Sequence, residues 1–203
     1  PHNSARALCG AEAPATAFLV GGLARGFSLA SRHLSLKRAV EDWGAPAEVF
    51  LVLKLHDRPP DGGWSKLAFD EEPLERVNAA VSELRAVADV RNDSTVTRDF
   101  ERFASLCAER HQWRDQKARS NRMLGVHGYW HTMAALVDLM RRYERRHDLE
   151  FERVVFSRPD LVHLRSAGLW CGFPTGPAVH SVGADCLGLF GPGNHNCERV
   201  SGI

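Results

Sequence analysis

Short unbroken apolar runs alternate along the chain with longer stretches in which apolar residues recur every three or four positions. TAFLVGG, ending in Gly21 and Gly22, predicts a short buried strand stopped by glycine. SLASRHLSLKRAVEDWG follows with Leu29, Leu34, Leu36, Val40 and Trp43 at roughly helical spacing, with Ser28 placed to cap the helix and Gly44 to end it. AEVFLVLKL has five consecutive apolar residues, Val49 to Leu53, and unbroken apolarity suits a strand covered on both faces. HDRPPDGGWS predicts a loop. EPLERVNAAVSELRAV predicts a helix, with Leu74, Val77, Val81, Leu84 and Val87 on one side. VADVRND predicts a short third strand.

A long helical region comes next. Within it Met123, Val126, Trp130, Met133, Val137 and Met140 step by three and four, which predicts a core-facing stripe. The charged RRYERRHDLEFER closes the helix and leads into a fourth strand, whose apolar run (Val154, Val155, Phe156) stops at Ser157, Arg158, Pro159 and Asp160. The rest is rich in Gly and Pro and predicts loops with one or two short strands. Alternation of this kind predicts an α/β fold, a mostly parallel sheet flanked by helices on both faces. Residues 1–15 read as a flexible lead-in and 16–203 as one domain, and the opening Pro1 points to a processed or excised piece of a longer chain.

Composition narrows the picture little. The chain has 203 residues, 44% hydrophobic and 25% charged, with a formal charge of +1, which argues against a nucleic-acid partner. Residues 98–122 hold seven Arg/Lys against four Asp/Glu, interleaved as on a solvated helix face. There is no run of 18 apolar residues, so no membrane span is expected. Cys9, Cys107, Cys171, Cys186 and Cys197 have no CxxC spacing; the last three leave open one disulfide or scattered thiols, and the compartment is open between secretory and cytoplasmic. His127 and His131 stand four apart without the glutamate of an HExxH zinc motif.

In open parallel sheets ligands bind beyond the carboxyl ends of the strands. That rule selects GGLARGF after the first strand and SRPDL after the fourth, and both carry an arginine. Gly21, Gly22 and Gly26 let the backbone turn and approach a ligand, and Arg25 offers a planar fork for phosphate or carboxylate. The spacing is neither a P-loop nor GxGxxG, and an ordinary glycine turn with a surface arginine explains it equally. Pro159 stiffens the exit of the fourth strand. Asp160 there offers hard oxygen to Mg²⁺ or Mn²⁺, and Arg158 can offset diphosphate charge; a surface ion pair between the two is the alternative.

Taken together, these pieces resemble a glycosyltransferase-like family of microbial, algal and viral proteins. The resemblance rests on Gly22-Leu23-Ala24-Arg25-Gly26-Phe27, on Glu48-Val49-Phe50, on Gln112 and Lys117 or the neighbouring RSNRMLG, and on Arg158-Pro159-Asp160-Leu161, over residues 16 to 190. It implies a GT-A-type, Rossmann-like fold that binds a nucleotide-sugar donor through Gly21, Gly22, Arg25, Lys117, Arg158 and Asp160. In that family an acidic motif meets the diphosphate, often through Mn²⁺ or Mg²⁺; here only Asp160 matches its last acid. It also implies an acceptor-side base in GADCLGLF, making Asp185 the candidate for an inverting transfer to a glycan or other hydroxyl. Two other classes remain: a catalytically silent α/β domain binding carbohydrate or a protein partner, and a metal-dependent hydrolase using the histidines.

Overall fold

Four strands form one all-parallel sheet in the order β3–β2–β1–β4: β1 (Thr16–Leu23), β2 (Ala47–Lys54), β3 (Val87–Arg91) and β4 (Arg153–Ser157). Helices α1 (Ala30–Asp42), α2 (Leu74–Leu84) and α3 (Gln116–His147) connect them in turn. The computed structural model describes residues 9, 12–24, 26–55, 72–91, 116–163 and 169–172, leaving aside the side chains of 116–127. The expected loop at 56–65, the segment around Gln112, Arg25, Asp185 and the C-terminal strands lie outside the described residues, as does the side chain of Lys117. The chain divides into two compact units, Pro1–Trp170 and Cys171–Ile203, and the sheet and helices belong to the first.

Register partners on parallel strands share a face. Ala17 and Leu19 of β1 therefore stand with Phe50 and Val52 of β2 against Leu136 and Met140 of α3. Phe50 packs edge-on to Tyr143 and to Phe151, at 5.3 and 5.5 Å between ring centres, an arrangement that aligns ring edge with ring face. The opposite face is closed from the α1 side. Trp43, just past α1, stands edge-on to Phe18 at 5.8 Å and donates its indole N–H to the buried Thr16 hydroxyl at 3.0 Å. Both faces of β1 and β2 are thus covered, which is why these two strands carry unbroken apolar runs. The helices on both faces and the parallel strands form an α/β, Rossmann-like architecture.

Three local expectations change. Trp130 is not part of the core: it is 65% exposed, and among the described side chains of α3 the buried positions are Gly128, Thr132, Leu136 and Met140. The fully buried seam thus steps by four from Gly128 and meets the apolar stripe at Met140, with Met133 and Val137 of the stripe packed beside it; Gly21 of β1 admits small and branched residues closely there. β4 is not covered on both faces either. Val154 and Phe156 share the α3 face with Ala17 and Leu19 but are 40% and 53% exposed, since α3 packs over β1 and β2.

Ser28 is not the cap of α1. The helix starts behind an extended Leu29, and the Ser28 hydroxyl instead donates to Glu72, ahead of α2. The same carboxylate accepts the Phe27 N–H at 3.0 Å and the Ser28 N–H at 2.7 Å, so an anion 44 residues away fastens the β1–α1 turn. Gly44, at φ +75°, does end the helical segment as expected. Replacing Glu72 by Ala should cost roughly 2 kcal/mol, because it removes charge-assisted bonds to two partly buried N–H groups. Urea unfolding measures this; a loss below about 0.5 kcal/mol would mean that water replaces the carboxylate freely.

Cys9 and Cys171 are both disulfide-bonded. The oxidised cysteines are therefore not confined to the C-terminal three.

Candidate functional site

The chain builds outward from β1 through β2 to β3, and α3 then carries it back across the sheet to place β4 on the other side of β1. The direction of winding reverses between β1 and β4. Open parallel sheets bind ligands in the crevice that such a reversal leaves beyond the strand ends. The two loops singled out in the sequence flank this crevice: β1 and β4 are paired as far as Val20 and Ser157.

Two glycines bring the walls together. A Cβ on Gly21 would lie 2.6 Å from Leu136 Cδ1 and from Thr132 Cγ2, so α3 seats directly on the β1 backbone. Gly22 has φ +148°, and a Cβ there would lie 3.2 Å from Pro159 Cδ. The exits of β1 and β4 are therefore in contact through Gly22 and the buried Pro159. The space at both glycines is filled by the protein's own side chains.

Pro159 separates Arg158 from Asp160, and the two side chains meet over it as a fork. Arg158 Nε donates to Asp160 Oδ1 at 2.9 Å and Nη2 to Oδ2 at 2.6 Å. This bond raises the guanidinium pKa, against the opposing effect of burial, and Tyr129 of α3 adds to it. The Arg158 side chain is 65% exposed and the Asp160 side chain 30%. The ion pair weighed from the sequence is thus formed, and it stands at the crevice rim. Its Nη1 side carries N–H donors that the carboxylate does not use.

This closed fork does not fit a divalent cation. Both Asp160 oxygens face the guanidinium, and no three His, Cys, Asp or Glu side chains converge among the described residues. Arg25 and Asp185 lie outside the described residues; Lys117 lies on α3, with its side chain outside them.

The β1–α1 turn is also accounted for. Helix N-termini after a first strand often bind phosphate through free N–H groups. Here the Phe27 and Ser28 N–H groups are taken by Glu72. Among the described residues, these two N–H groups are therefore not available to an anion in the crevice.

Two features escaped the sequence reading. Lys54, the last residue of β2, is only 6% exposed and donates Nζ–H to Gly128 O of α3 at 3.1 Å. It lies at the same end of the sheet, and the Ala24 N–H donates to its carbonyl at 2.8 Å. A lone lysine closing an apolar run was the available signal. The second is His163, which folds back from the RPDL turn so that Nε2 lies 3.3 Å from Ser157 Oγ. Its N–H donates to Ser35 Oγ of α1 at 3.0 Å, and burial pushes its imidazole pKa below the usual value. Ser157 and His163 bracket Arg-Pro-Asp-Leu in sequence, but only the return of the loop brings them together.

No protein-family model, curated protein or solved structure matches this chain.

Proposed function

We propose that the protein is a glycosyltransferase that moves a sugar from a nucleotide-sugar donor to a hydroxyl acceptor. The observation that carries this reading is the Arg158–Asp160 fork at the winding reversal of a parallel sheet, with guanidinium donors still available. A group held in this way is pre-oriented, so it pays little reorganisation when negative charge develops on a departing diphosphate. The motif resemblance over residues 16 to 190 supports the GT-A form of the fold and the donor class. On that reading the Gly21–Arg25 segment borders the nucleotide, with Lys117 nearby, and Asp185 is the family's candidate on the acceptor side.

The mechanism uses this chain's own groups. Asp160 aims Arg158, Arg158 neutralises the leaving diphosphate, and the crevice walls hold the acceptor oxygen in line with the anomeric carbon. No step is routed through a metal.

A thermal-shift panel of nucleoside-diphosphate sugars, with and without Mn²⁺, tests the reading. A donor at a hundredfold excess over its Kd stabilises the folded state by about 2.7 kcal/mol. For a chain of this size that raises Tm by roughly 5–10 °C. The cognate donor should do so and the other sugars should not. No shift with any nucleotide sugar, alongside a shift with a free glycan, would instead support the carbohydrate-binding alternative.

A further inference from the structure

The transferase reading leaves the acceptor proton without a destination among the described residues, and the fold holds a group suited to it. Ser157 is the last residue of β4, and its register partner Val20 shares the face of Thr16 and Phe18, which is the α1 side. His163 returns to that side after the RPDL turn. Two contacts fix it: the ring Nε2 lies 3.3 Å from Ser157 Oγ, and the backbone N–H donates to Ser35 Oγ at 3.0 Å, which itself donates to Arg32 O at 2.7 Å. The ring is thus held from β4, at the residue next to Arg158, and its backbone from α1.

A histidine used at one nitrogen has its chemistry decided at the other. Nδ1 of His163 has no partner among the described residues, and the residue is half-buried. With the proton on Nε2 and donated to Ser157, Nδ1 carries the lone pair. We propose that His163 Nδ1 is the base that accepts the proton of the attacking acceptor hydroxyl, with Ser157 and Ser35 as positioning residues. This rests on the transferase reading and moves the acceptor-side role from Asp185 to His163.

The acceptor oxygen bonds to the anomeric carbon of the donor as the bond from that carbon to the diphosphate oxygen breaks. The nucleoside diphosphate leaves with the electron pair, Arg158 offsetting its charge. The hydroxyl proton passes to Nδ1, and the resulting imidazolium returns it to water. A base used in one displacement inverts the anomeric configuration.

The electrostatic setting suits a base. The flanking groups Ser35 and Ser157 are uncharged, and the charges of its own loop, Arg158 and Asp160, are paired with each other. On α1 the charged residues nearest Ser35 by helical spacing are Arg32 and Arg38. Burial alone lowers the His163 pKa, so the ring is neutral at pH 7. The sign for stability follows: the unfolded chain binds this proton near pH 6.5 while the folded chain resists it. Stability is complete above that pH and falls as the pH drops towards the folded value.

The test compares wild type, His163→Gln, Ser157→Ala and Asp185→Asn with the donor found by thermal shift, reading nucleoside diphosphate release against pH. His163→Gln should keep donor stabilisation, lose about 100-fold in kcat, and lose the acidic limb of the pH profile. It should also flatten the fall in Tm between pH 7 and 5. Nitrogen NMR of the His163 ring should show the proton on Nε2 in wild type and a shift towards Nδ1 in Ser157→Ala. A wild-type proton on Nδ1, an acidic limb unchanged in His163→Gln, or a limb moved by Asp185→Asn alone would each overturn the proposal while donor stabilisation stands. Loss of donor stabilisation in wild type itself would remove the transferase reading, and this step with it.

Discussion

Replacing Arg158 by Ala should lower kcat/KM for sugar transfer by about 100-fold or more and leave the protein folded. The size follows from removing a pre-aimed donor at a site of developing negative charge. The small stability effect follows from exposure: a side chain 65% exposed, paired with a carboxylate, contributes at most about 1 kcal/mol to folding. For this chain length that is a Tm change of roughly 2–4 °C at most. Arg158→Lys keeps the charge but not the fork, so it should recover little activity. Asp160→Asn should fall nearly as far, because it leaves Arg158 without its charged orienting partner. Steady-state kinetics beside a melting curve reads both quantities. Unimpaired transfer by either variant would remove that residue from the mechanism.

The largest stability effect should come from Gly21. A methyl group there would overlap Leu136 Cδ1 and Thr132 Cγ2, each 2.6 Å away. These atoms belong to a packed helix face, so the conflict can be relieved only by moving α3 off β1. Gly21→Ala should therefore cost about 1–3 kcal/mol, and Gly21→Val more. Thr132→Ser removes one of the two methyl groups and should restore part of the loss, as coupling between touching residues requires. Denaturant unfolding of the single and double variants decides it. A neutral Gly21→Ala, or no coupling to Thr132→Ser, would mean that α3 does not sit on β1 as described.

The alternation of runs was enough to read the sheet, because β1 and β2 are covered on both faces and their unbroken apolarity reports it directly. β4 also carries an unbroken apolar run, yet Val154 and Phe156 are substantially exposed. Three apolar residues in a row do not reveal whether a helix lies over them. That depends on where α3 crosses, and α3 crosses over β1 and β2 because Gly21 lets it approach there. For the same reason Trp130 matched the helical period yet stands exposed, while Met133 and Val137 pack against the core beside Leu136 and Met140.

The site was legible to the extent that it follows from topology. Loops after the first and fourth strands were selected by a rule about strand ends, and the β1–β4 pairing makes them neighbours. The function assigned to individual residues was less legible. Ser28 had the composition of a helix cap, but the carboxylate of Glu72 competes for its hydroxyl. Gly21 and Gly22 had the composition of a phosphate turn, but their missing side chains make room for α3 and Pro159. His163 and Ser157 could not be paired from sequence, since the loop geometry of the residues between them decides whether they meet.

The crevice between β1 and β4 as the donor site is best tested by a crystal structure of the protein with the nucleoside-diphosphate sugar that raises its Tm. The account predicts the diphosphate beyond the carboxyl ends of these strands, with an oxygen about 3 Å from Arg158 Nη1 and the anomeric carbon turned towards His163. A diphosphate bound at the amino ends of the strands, or at any place where Arg158 cannot reach it, would contradict it.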